Sequence, residues 1–525
     1  MQLKISNTKL FWGGLILFEV PLLLGFCFWR GNVLMLCISG IGMLTLLYSS
    51  FLLSKNNLFL NQIKLLFSFI NKNFYLIFII FSLGWLGIAI SSYLSLDYVT
   101  LDIGSFAYEI AQFVKTGTLY STILNRHVLA DHFVPNLLLF YPVFKFYPSF
   151  LWLTAFQIAA FLSSVFVLIR IGKQVIPHHQ DYLVIIAPAL FLIHNLVALT
   201  VLHQTQPSAF SLPFILLAFS FAIDKKYVKM FIVLVFLLGF KENLALVWIS
   251  LGMFFIVHLK KIKLGTSLII IGIIFGLLIY FIVMPYFNHG SPPSHSGRFG
   301  PFSLITQKIF LITISMISVG FLPLLVPKSL LYILPAFGIA LVSKAPTMLT
   351  FNYHYQDIPL TILFIGVIYG IKSLSTGKSW LFKINKKYLE HIAAIVFIVI
   401  IFSNPRFPSL IIKNHWPDSD EILLFHEIKR YEKIAPMDVK IWADERVGPF
   451  LINHPYQKSF NRWGGWKGAL NDKEPHIIVV PVETLSALPP QYYREFRKKM
   501  DIALAQGKYR QINEFNKLLI YRSLY

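Results

Sequence analysis

Scarce acidic residues gather in one loop of an otherwise apolar chain. The first 400 positions contain ten Asp and Glu residues, and four of them, Asp97, Asp102, Glu109 and Asp131, fall between two apolar segments. Ionisable groups near a bilayer are costly to place and tend to serve a function. A carboxylate held among Tyr and Phe rings can have its pKa raised into a useful range for general-base work. We therefore expect an active site in this loop, with Asp102, Glu109 and Asp131 as catalytic candidates.

The local pattern around Asp102 leaves two roles open for this residue. Polar residues recur at helical spacing over Asp102–Gln112, with apolar residues on the other face, which predicts an amphipathic helix lying at the membrane surface. Asp102 stands where this helix would begin, with Lys115 in its last turn and Gly117 just after it. Asp102 is therefore either an N-cap or a catalytic group. The other acidic residues of the same loop favour catalysis.

The overall composition places these residues in an integral membrane protein. Of 525 residues 56% are hydrophobic and only 13% are charged, far from soluble averages. The formal net charge is +22, but Lys and Arg sit mainly in short loops between apolar runs, where they fix topology and meet anionic lipid. Nucleic-acid binding is therefore not expected. Cys27 and Cys37 fall in the first two apolar segments and read as small core residues.

Apolar runs recur from residue 11 to residue 403, at lengths that predict about 11–13 membrane helices. The first run, 11–29, is longer than the apolar part of a signal peptide and should stay as a helix. Loops on the side of the N-terminus hold more Lys and Arg, which predicts a cytoplasmic N-terminus. We predict an all-α polytopic membrane domain over 1–403, whose external loop 96–148 carries the catalytic residues.

Residues 404–525 differ sharply in composition, with 14 acidic residues among them. Val439–Trp442, His476–Val482 and Lys517–Tyr521 are predicted strands, and Tyr492–Gln506 is a predicted helix that ends at Gly507. The same topology puts this segment on the side of the loop. We predict a small extracytoplasmic α/β domain over 404–525.

Other polar groups are expected on the loop side of the membrane. Lys241-Glu242-Asn243 is predicted to form a turn between two short apolar segments, where the charged pair either meets a ligand or anchors the turn by itself. The segment His203–Pro207 would line a sugar pocket or serve as a plain connecting turn. The segment 289–301, which contains Arg298, would be a mobile loop that closes over a substrate or a disordered connection.

Four short motifs in order resemble a family of predicted bacterial membrane proteins. They are Leu101-Asp102-Ile103-Gly104, His132-Phe133-Val134-Pro135, Lys241-Glu242-Asn243 and His354-Tyr355. The usual forms in the family are Phe-Asp-Leu-Gly, His-Phe-x-Pro, Lys-Glu-Asp and His-Tyr. That family is in turn similar to membrane glycosyltransferases of the GT-C type, which transfer a sugar from a polyprenyl-phosphate donor.

This resemblance implies roles for individual residues. Asp102 matches the essential aspartate that GT-C enzymes carry in the first large external loop, whereas Glu109 and Asp131 match no fixed position. Two departures stand out: the loop follows the third apolar segment rather than the first, and Asn243 replaces the acidic residue of the family motif. The expected substrate-binding residues are His132, Lys241, Glu242, Arg298, His354 and Tyr355.

The expectation is thus a GT-C-like enzyme of the bacterial cytoplasmic membrane. Its partners would be membrane lipid and a polyprenyl-phosphate-linked sugar, which it would move to an acceptor hydroxyl at the outer face. No metal ligand is assigned; a divalent ion at His127, Asp131 and His132 is the less favoured alternative, because their spacing fits no standard ligand motif. The sequence does not indicate an oligomeric state.

Two other functions remain in view. A transporter or flippase for a lipid-linked or polar solute would use the broken Lys241 region as a midplane site, with charged groups lining a path through the bilayer. An assembly protein without catalysis would present its outer domain to partners. An enzyme is favoured if the polar residues converge at one end of the helices.

Overall fold

A computed structural model describes residues 65, 68–178, 183–194, 197, 205–293, 296–351, 354–376, 416–460, 465–482 and 490–524. The predicted runs 11–29, 33–53 and 391–403 lie outside these ranges, as do both cysteines, and the predicted number of membrane helices therefore stays a prediction. The described chain is a bundle of apolar helices followed by a small α/β region, which is the predicted fold class. The predicted domain boundary also stays a prediction, because residues 377–415 are not described.

The helices of the described residues are α1 (Phe74–Leu94), α2 (Ser105–Thr116), α3 (Val128–Asp131), α4 (Tyr141–Phe146), α5 (Leu151–Val175), α6 (Ile186–Ile193), α7 (Leu212–Ile223), α8 (Tyr227–Leu238), α9 (Ala245–Val257), α10 (Ile262–Leu278), α11 (Met284–Phe287), α12 (Ile305–Ser318), α13 (Leu330–Ile333), α14 (Gly338–Val342), α15 (Asp357–Thr376), α16 (Ser419–Ile434), α17 (Gly465–Asn471) and α18 (Pro490–Ala505). The strands are β1 (Tyr120–Ser121), β2 (Arg126–His127), β3 (Lys440–Asp444), β4 (Gln457–Phe460), β5 (His476–Pro481), β6 (Tyr509–Ile512) and β7 (Leu518–Ser523).

Four helices in the described ranges are long and apolar enough to cross a membrane: α1, α5, Ile262–Phe287 and α15. The third of these is continuous because a π-helical turn joins α10 to α11. Most of α15 is buried by its neighbours, whereas α1 and Ile262–Phe287 leave most of their apolar surface uncovered. Apolar surface of this extent is expected to face lipid. The centre of the membrane region therefore lies around α15.

Small residues allow α9 and α10 to pack very closely. A Cβ atom on Gly252 would lie 2.6 Å from the carbonyl oxygen of Gly265, and one on Gly265 would lie 2.6 Å from that of Gly252. Close backbone approach of this kind is the usual way in which membrane helices associate. The pair α8 and α9, separated by a short turn at Glu242–Leu244, confirms the predicted pair of short segments.

The loop after α1 begins with a π-helical turn, Thr100–Gly104, that leads into α2. The predicted helix end is confirmed: Lys115 lies in the last turn, and Gly117 follows with a left-handed φ of 73°. The N-cap alternative for Asp102 is wrong, because helical backbone already starts at Thr100 and Gly104 stands at the cap of α2. The loop then forms the short antiparallel hairpin of β1 and β2.

The C-terminal α/β region contains a five-stranded sheet in the order β4-β3-β5-β7-β6. The first three strands are parallel, and β7 and β6 join antiparallel. The three predicted strands are confirmed as β3, β5 and β7, and the predicted helix is confirmed as α18, with Gly507 in a left-handed conformation. Buried side chains of β5 lie on both faces of the sheet, as expected for a central strand.

Candidate functional site

The helix α2 lies between the membrane region and the C-terminal α/β region. Tyr108, Gln112 and Lys115 form a row along one face, and their side chains donate hydrogen bonds to backbone carbonyls within residues 452–455. Residues three and four apart share a face of a helix, so the whole row faces the C-terminal region. The polar face of α2 thus contacts protein carbonyls, and the predicted position of this helix at the membrane surface stays a prediction.

Glu109 lies on α2 and is completely buried. Neither of its carboxylate oxygens has a hydrogen-bond partner among the described residues. Burial raises the pKa of Glu109 well above its usual value, and the nearby negative charge of Asp131 raises it further. Loss of hydration disfavours the charged form of a carboxyl group. Glu109 is therefore inclined to hold a proton, as a group that exchanges protons with a substrate would need to.

Two motif segments that are far apart in the sequence meet close to α2, where the ring of His132 lies 6.4 Å from that of Phe106. Oε1 of Glu242 lies 3.1 Å from Nδ1 of His132, and Oε2 accepts a hydrogen bond of 3.0 Å from the backbone N–H of Phe133. An ionised carboxylate can only accept hydrogen bonds, so Nδ1 carries the proton in this pair. The carboxylate of Glu242 thereby fixes both the orientation and the tautomer of His132.

Asp131 continues this chain of charged groups. Its Oδ1 lies 3.3 Å from Nη1 of Arg126, and its Oδ2 lies 4.0 Å from Nε2 of His132. The ring of His127 stacks on that of Phe287, with 4.5 Å between the ring centres, which ties the hairpin to the end of Ile262–Phe287. No group of three or more His, Cys, Asp and Glu residues within the described ranges is arranged to hold a metal ion.

A second polar cluster surrounds Lys241, which is buried. Its Nζ donates a hydrogen bond of 3.3 Å to Oε1 of Gln206, and the backbone N–H of Gln206 donates one of 3.0 Å to Oε1 of Gln157. Asp357, at the start of α15, interacts electrostatically with Lys241. The Oδ2 atom of Asp357 is buried and has no hydrogen-bond partner among the described residues. A positive charge with polar neighbours is thus held inside the end of the bundle.

Asp357 and Gln157 were not predicted as site residues from the sequence. The signal for Asp357 was present, because it is one of the ten acidic residues before position 400 and directly follows the motif His354-Tyr355 and Gln356. Gln157 gave no such signal, since a single amide inside an apolar helix resembles any half-buried polar residue. Of the polar turn His203–Pro207, the described part reaches the cluster through Gln206.

Four further predicted site residues are Asp102, His354, Tyr355 and Arg298. The side chains of Asp102 and His354 lie outside what the structure describes; their backbones belong to the turns Thr100–Gly104 and His354–Gln356. Tyr355 is half-buried beside the start of α15. The side chain of Arg298 is exposed and makes no hydrogen bond or ion pair with any other described residue.

The segment around Arg298 is held by backbone hydrogen bonds. The N–H of Gly300 donates to the carbonyl of Val342 at 2.7 Å, and that of Lys344 donates to the carbonyl of Arg298 at 2.8 Å. These bonds flank an isolated β-bridge between Phe299 and Ser343. The predicted closure of this segment over a substrate stays a prediction.

Charged groups are separated between the two ends of the bundle. The end that carries the loop, here called the loop end, holds the two clusters just described. At the opposite end, Oδ2 of Asp224 lies 2.8 Å from Nη2 of Arg170 and 3.1 Å from Nζ of Lys226. Between these ends the described stretches of α5 and α7 contain no charged residue. The polar residues that the motifs contribute are thus concentrated at one end.

This helical bundle with an α/β region identifies the chain as an integral membrane protein. Its sequence matches the family described as predicted membrane protein (DUF2079) over residues 92–520, and the chain belongs to that family. No curated protein matches the sequence.

Two solved structures are similar to this chain. One is the crystal structure of ArnT from Cupriavidus metallidurans bound to undecaprenyl phosphate, with 12% identity, a TM-score of 0.47, and coverage of 86% of this chain and 98% of that one. The other is ArnT from the same organism in the apo state, with 11% identity, a TM-score of 0.45, and coverage of 83% and 97%.

Proposed function

We propose that this protein is a membrane glycosyltransferase of the GT-C type that moves a sugar from a polyprenyl-phosphate carrier to an acceptor hydroxyl at the loop end. The observation that supports this most is the meeting of the loop motif and the Lys-Glu-Asn motif at Glu242 and His132. His132 and Glu242 are 110 positions apart in the sequence, and a polar contact between such distant residues in the loop that also holds the buried Glu109 supports a chemical role.

In the proposed reaction Asp102 acts as the base or orients the acceptor. The acceptor hydroxyl gives its proton to the carboxylate while its oxygen forms a bond to the anomeric carbon of the sugar. The bond between that carbon and the phosphate oxygen breaks, and its electron pair leaves with the carrier phosphate. Glu109 and Asp131 support Asp102 by setting the charge and proton balance of the loop.

Positive charge is needed for the departing phosphate. Lys241 supplies it from within the bundle, where low dielectric strengthens its attraction for an anion. His132, oriented by Glu242, is a further donor for the phosphate or the sugar. Arg298 is exposed and would join only when a bound donor brings the two together. His354 and Tyr355 precede α15 at the same end and complete the proposed donor site.

Transport is the alternative function for the same polar residues. A path for a charged solute would need polar groups along the bilayer depth. The described charged residues instead gather at the two ends of the helices. This distribution supports the enzyme over the transporter.

The proposal is tested by replacing Asp102 in a strain that lacks the chromosomal gene. Mass spectrometry of surface glycans should show a sugar that is missing without the gene, restored by the wild type, and still missing with Asp102→Asn. Lipid-linked sugar should accumulate in the same two strains. Asp501→Asn, an exposed acid on α18, is the matched control and should restore the glycan. Restoration by Asp102→Asn at normal protein levels would remove the assignment.

A further inference from the structure

The connection between β3 and β4 inserts one arginine into the start of the loop. Arg446 is 8% exposed. Its Nη2 donates to the carbonyl of Ser95 at 2.6 Å, and its Nε donates to the carbonyl of Leu96 at 3.2 Å. A third contact, of 3.4 Å, joins Nη2 to Glu421 on α16. One guanidinium therefore links the C-terminal region to the point where the chain leaves α1.

The two carbonyls that Arg446 binds lie just past the end of α1. Carbonyl groups at a helix C-terminus lack amide partners and carry partial negative charge, so a cation is favoured there. The planar fork of a guanidinium can satisfy two neighbouring carbonyls at once, which an ammonium group does less well. Arg446 thus acts as a cap for α1 supplied by a segment 350 residues away.

Leu96 shows that this point of the chain is conformationally demanding. Its φ is 60°, in the left-handed region, and its side chain is completely buried. A residue with a Cβ adopts this conformation only when its surroundings impose it. The hydrogen bond from Arg446 to the carbonyl of Leu96 is one such constraint. It sets the direction in which the chain runs on towards Asp102.

A second contact fixes the loop four residues later. The N–H and the Oγ1 of Thr100 both donate to the carbonyl of Glu445, at 2.9 Å and 3.0 Å. A Cβ atom on Gly448 would lie 2.1 Å from Oγ1 of Thr100, and one on Gly104 would lie 3.2 Å from the ring of Pro449. The connection between β3 and β4 therefore packs tightly against the loop backbone on both sides of Asp102.

We propose that Arg446 is a positioning residue, through which the C-terminal α/β region sets the geometry of the loop backbone that carries Asp102. This inference rests on the proposed transferase function for its catalytic consequence, but the positioning itself concerns only this chain. Arg446 touches no substrate in this scheme. It acts by holding Ser95 and Leu96, so that the π-helical turn containing Asp102 begins at a fixed place.

The first experiment measures loop order without any assay of activity. A nitroxide label is attached at Asp97→Cys, an exposed loop position, in full-length protein with Cys27 and Cys37 replaced by Ser. Arg446→Met should raise the label's mobility, and Arg446→Lys should raise it less. Arg430→Met, an exposed arginine stacked on Phe515, is the matched control and should leave the spectrum unchanged. An unchanged spectrum in folded Arg446→Met protein overturns the proposal.

The second experiment measures transfer by the same variants in detergent. Misplacement of a catalytic group by about 1 Å can cost roughly 100-fold in rate. Arg446→Met should lower kcat by about that order with little change in KM, with Arg446→Lys in between. A purely structural staple would instead lower the amount of folded protein and leave kcat per folded molecule unchanged, which would also overturn the proposal. If wild-type protein shows no transfer and Arg446→Met still raises label mobility, the positioning role is retained and the proposed function is rejected.

Discussion

Glu109 is a buried acid whose protonation depends on burial and on one charged neighbour. Its pKa is raised first by burial and then by the charge of Asp131, and neither oxygen is hydrogen-bonded within the described part of the chain. Glu109 is thus the catalytic candidate from the sequence whose described side chain is completely buried and whose pKa is raised by that burial. The scarcity of acidic residues was enough to single out Glu109, but its burial depends on tertiary packing, which the local pattern of residues in α2 does not show.

The burial of Glu109 and the charge of Asp131 predict that Glu109 keeps its proton above the pH at which an exposed glutamate ionises. In infrared difference spectra, wild type against Glu109→Gln, a protonated carboxyl band should persist above the usual range for glutamate. Asp131→Asn removes the repulsion and should move the disappearance of this band to lower pH. If the Glu109 carboxyl band disappears at the same pH in Asp131→Asn protein as in the wild type, the electrostatic coupling between the two acids is not significant.

Lys241 permits a test in which stability and ligand binding are separated. Lys241→Met leaves Asp357 buried without its positive neighbour, a change of the kind that costs about 3 kcal/mol or more. Adding Asp357→Asn should recover much of that loss in thermal unfolding. Under the proposed function, wild-type protein should retain a polyprenyl phosphate in native mass spectrometry, and neither variant should. Retention by the double variant would show that Lys241 does not bind the carrier phosphate.

Elements that depend on local pattern were predictable, and those that depend on distant partners were not. The turn between α8 and α9 follows from the distribution of Lys and Arg between the two sides of the membrane. The end of α2 at Gly117 and the strands β3, β5 and β7 follow from glycine positions and apolar runs. The strands β4 and β6 were missed because they are only four residues long and largely polar, so that pairing with longer neighbours decides their structure.

The link between the loop and the α8–α9 turn predicts a measurable coupling between elements. Glu242→Ala removes the acceptor for both His132 and Phe133, and loss of hydrogen bonds to a charged group costs about 1.5–3 kcal/mol each. Glu242→Gln keeps one acceptor oxygen and should cost less. A double-mutant cycle with His132→Ala, followed by thermal unfolding, should therefore be non-additive. Additive losses would mean that the contact contributes nothing to the stability of the fold.

At the scale of the whole molecule, the C-terminal region and the membrane region stabilise each other through buried polar groups. Asp444, at the end of β3, is completely buried, and burial raises its pKa to about 6. The sequence predicted a separate α/β domain on the loop side. It could not show that this domain packs against the loop, since the contacts are made largely by backbone carbonyls that leave no trace in residue type.

The raised pKa of Asp444 makes stability depend on pH in a defined direction. The folded state holds the proton of Asp444 more tightly than the unfolded state does. The contribution of this group to the free energy of unfolding is therefore fully present below about pH 4 and is lost as pH rises through about 6. Asp444→Asn should therefore raise the unfolding temperature at pH 7.5 and leave it nearly unchanged at pH 4. Equal shifts at both pH values would mean that Asp444 does not titrate in this way.

Transfer in detergent tests the central claim most directly, because a micelle has no two sides for a transporter to connect. Lipid carriers and acceptor glycans are extracted from the strain that lacks the gene, and purified protein is added. The account predicts that wild-type protein moves labelled sugar from carrier to acceptor and that Asp102→Asn protein does not. Transfer that proceeds equally well with no added protein, or with the Asp102→Asn variant, would contradict it.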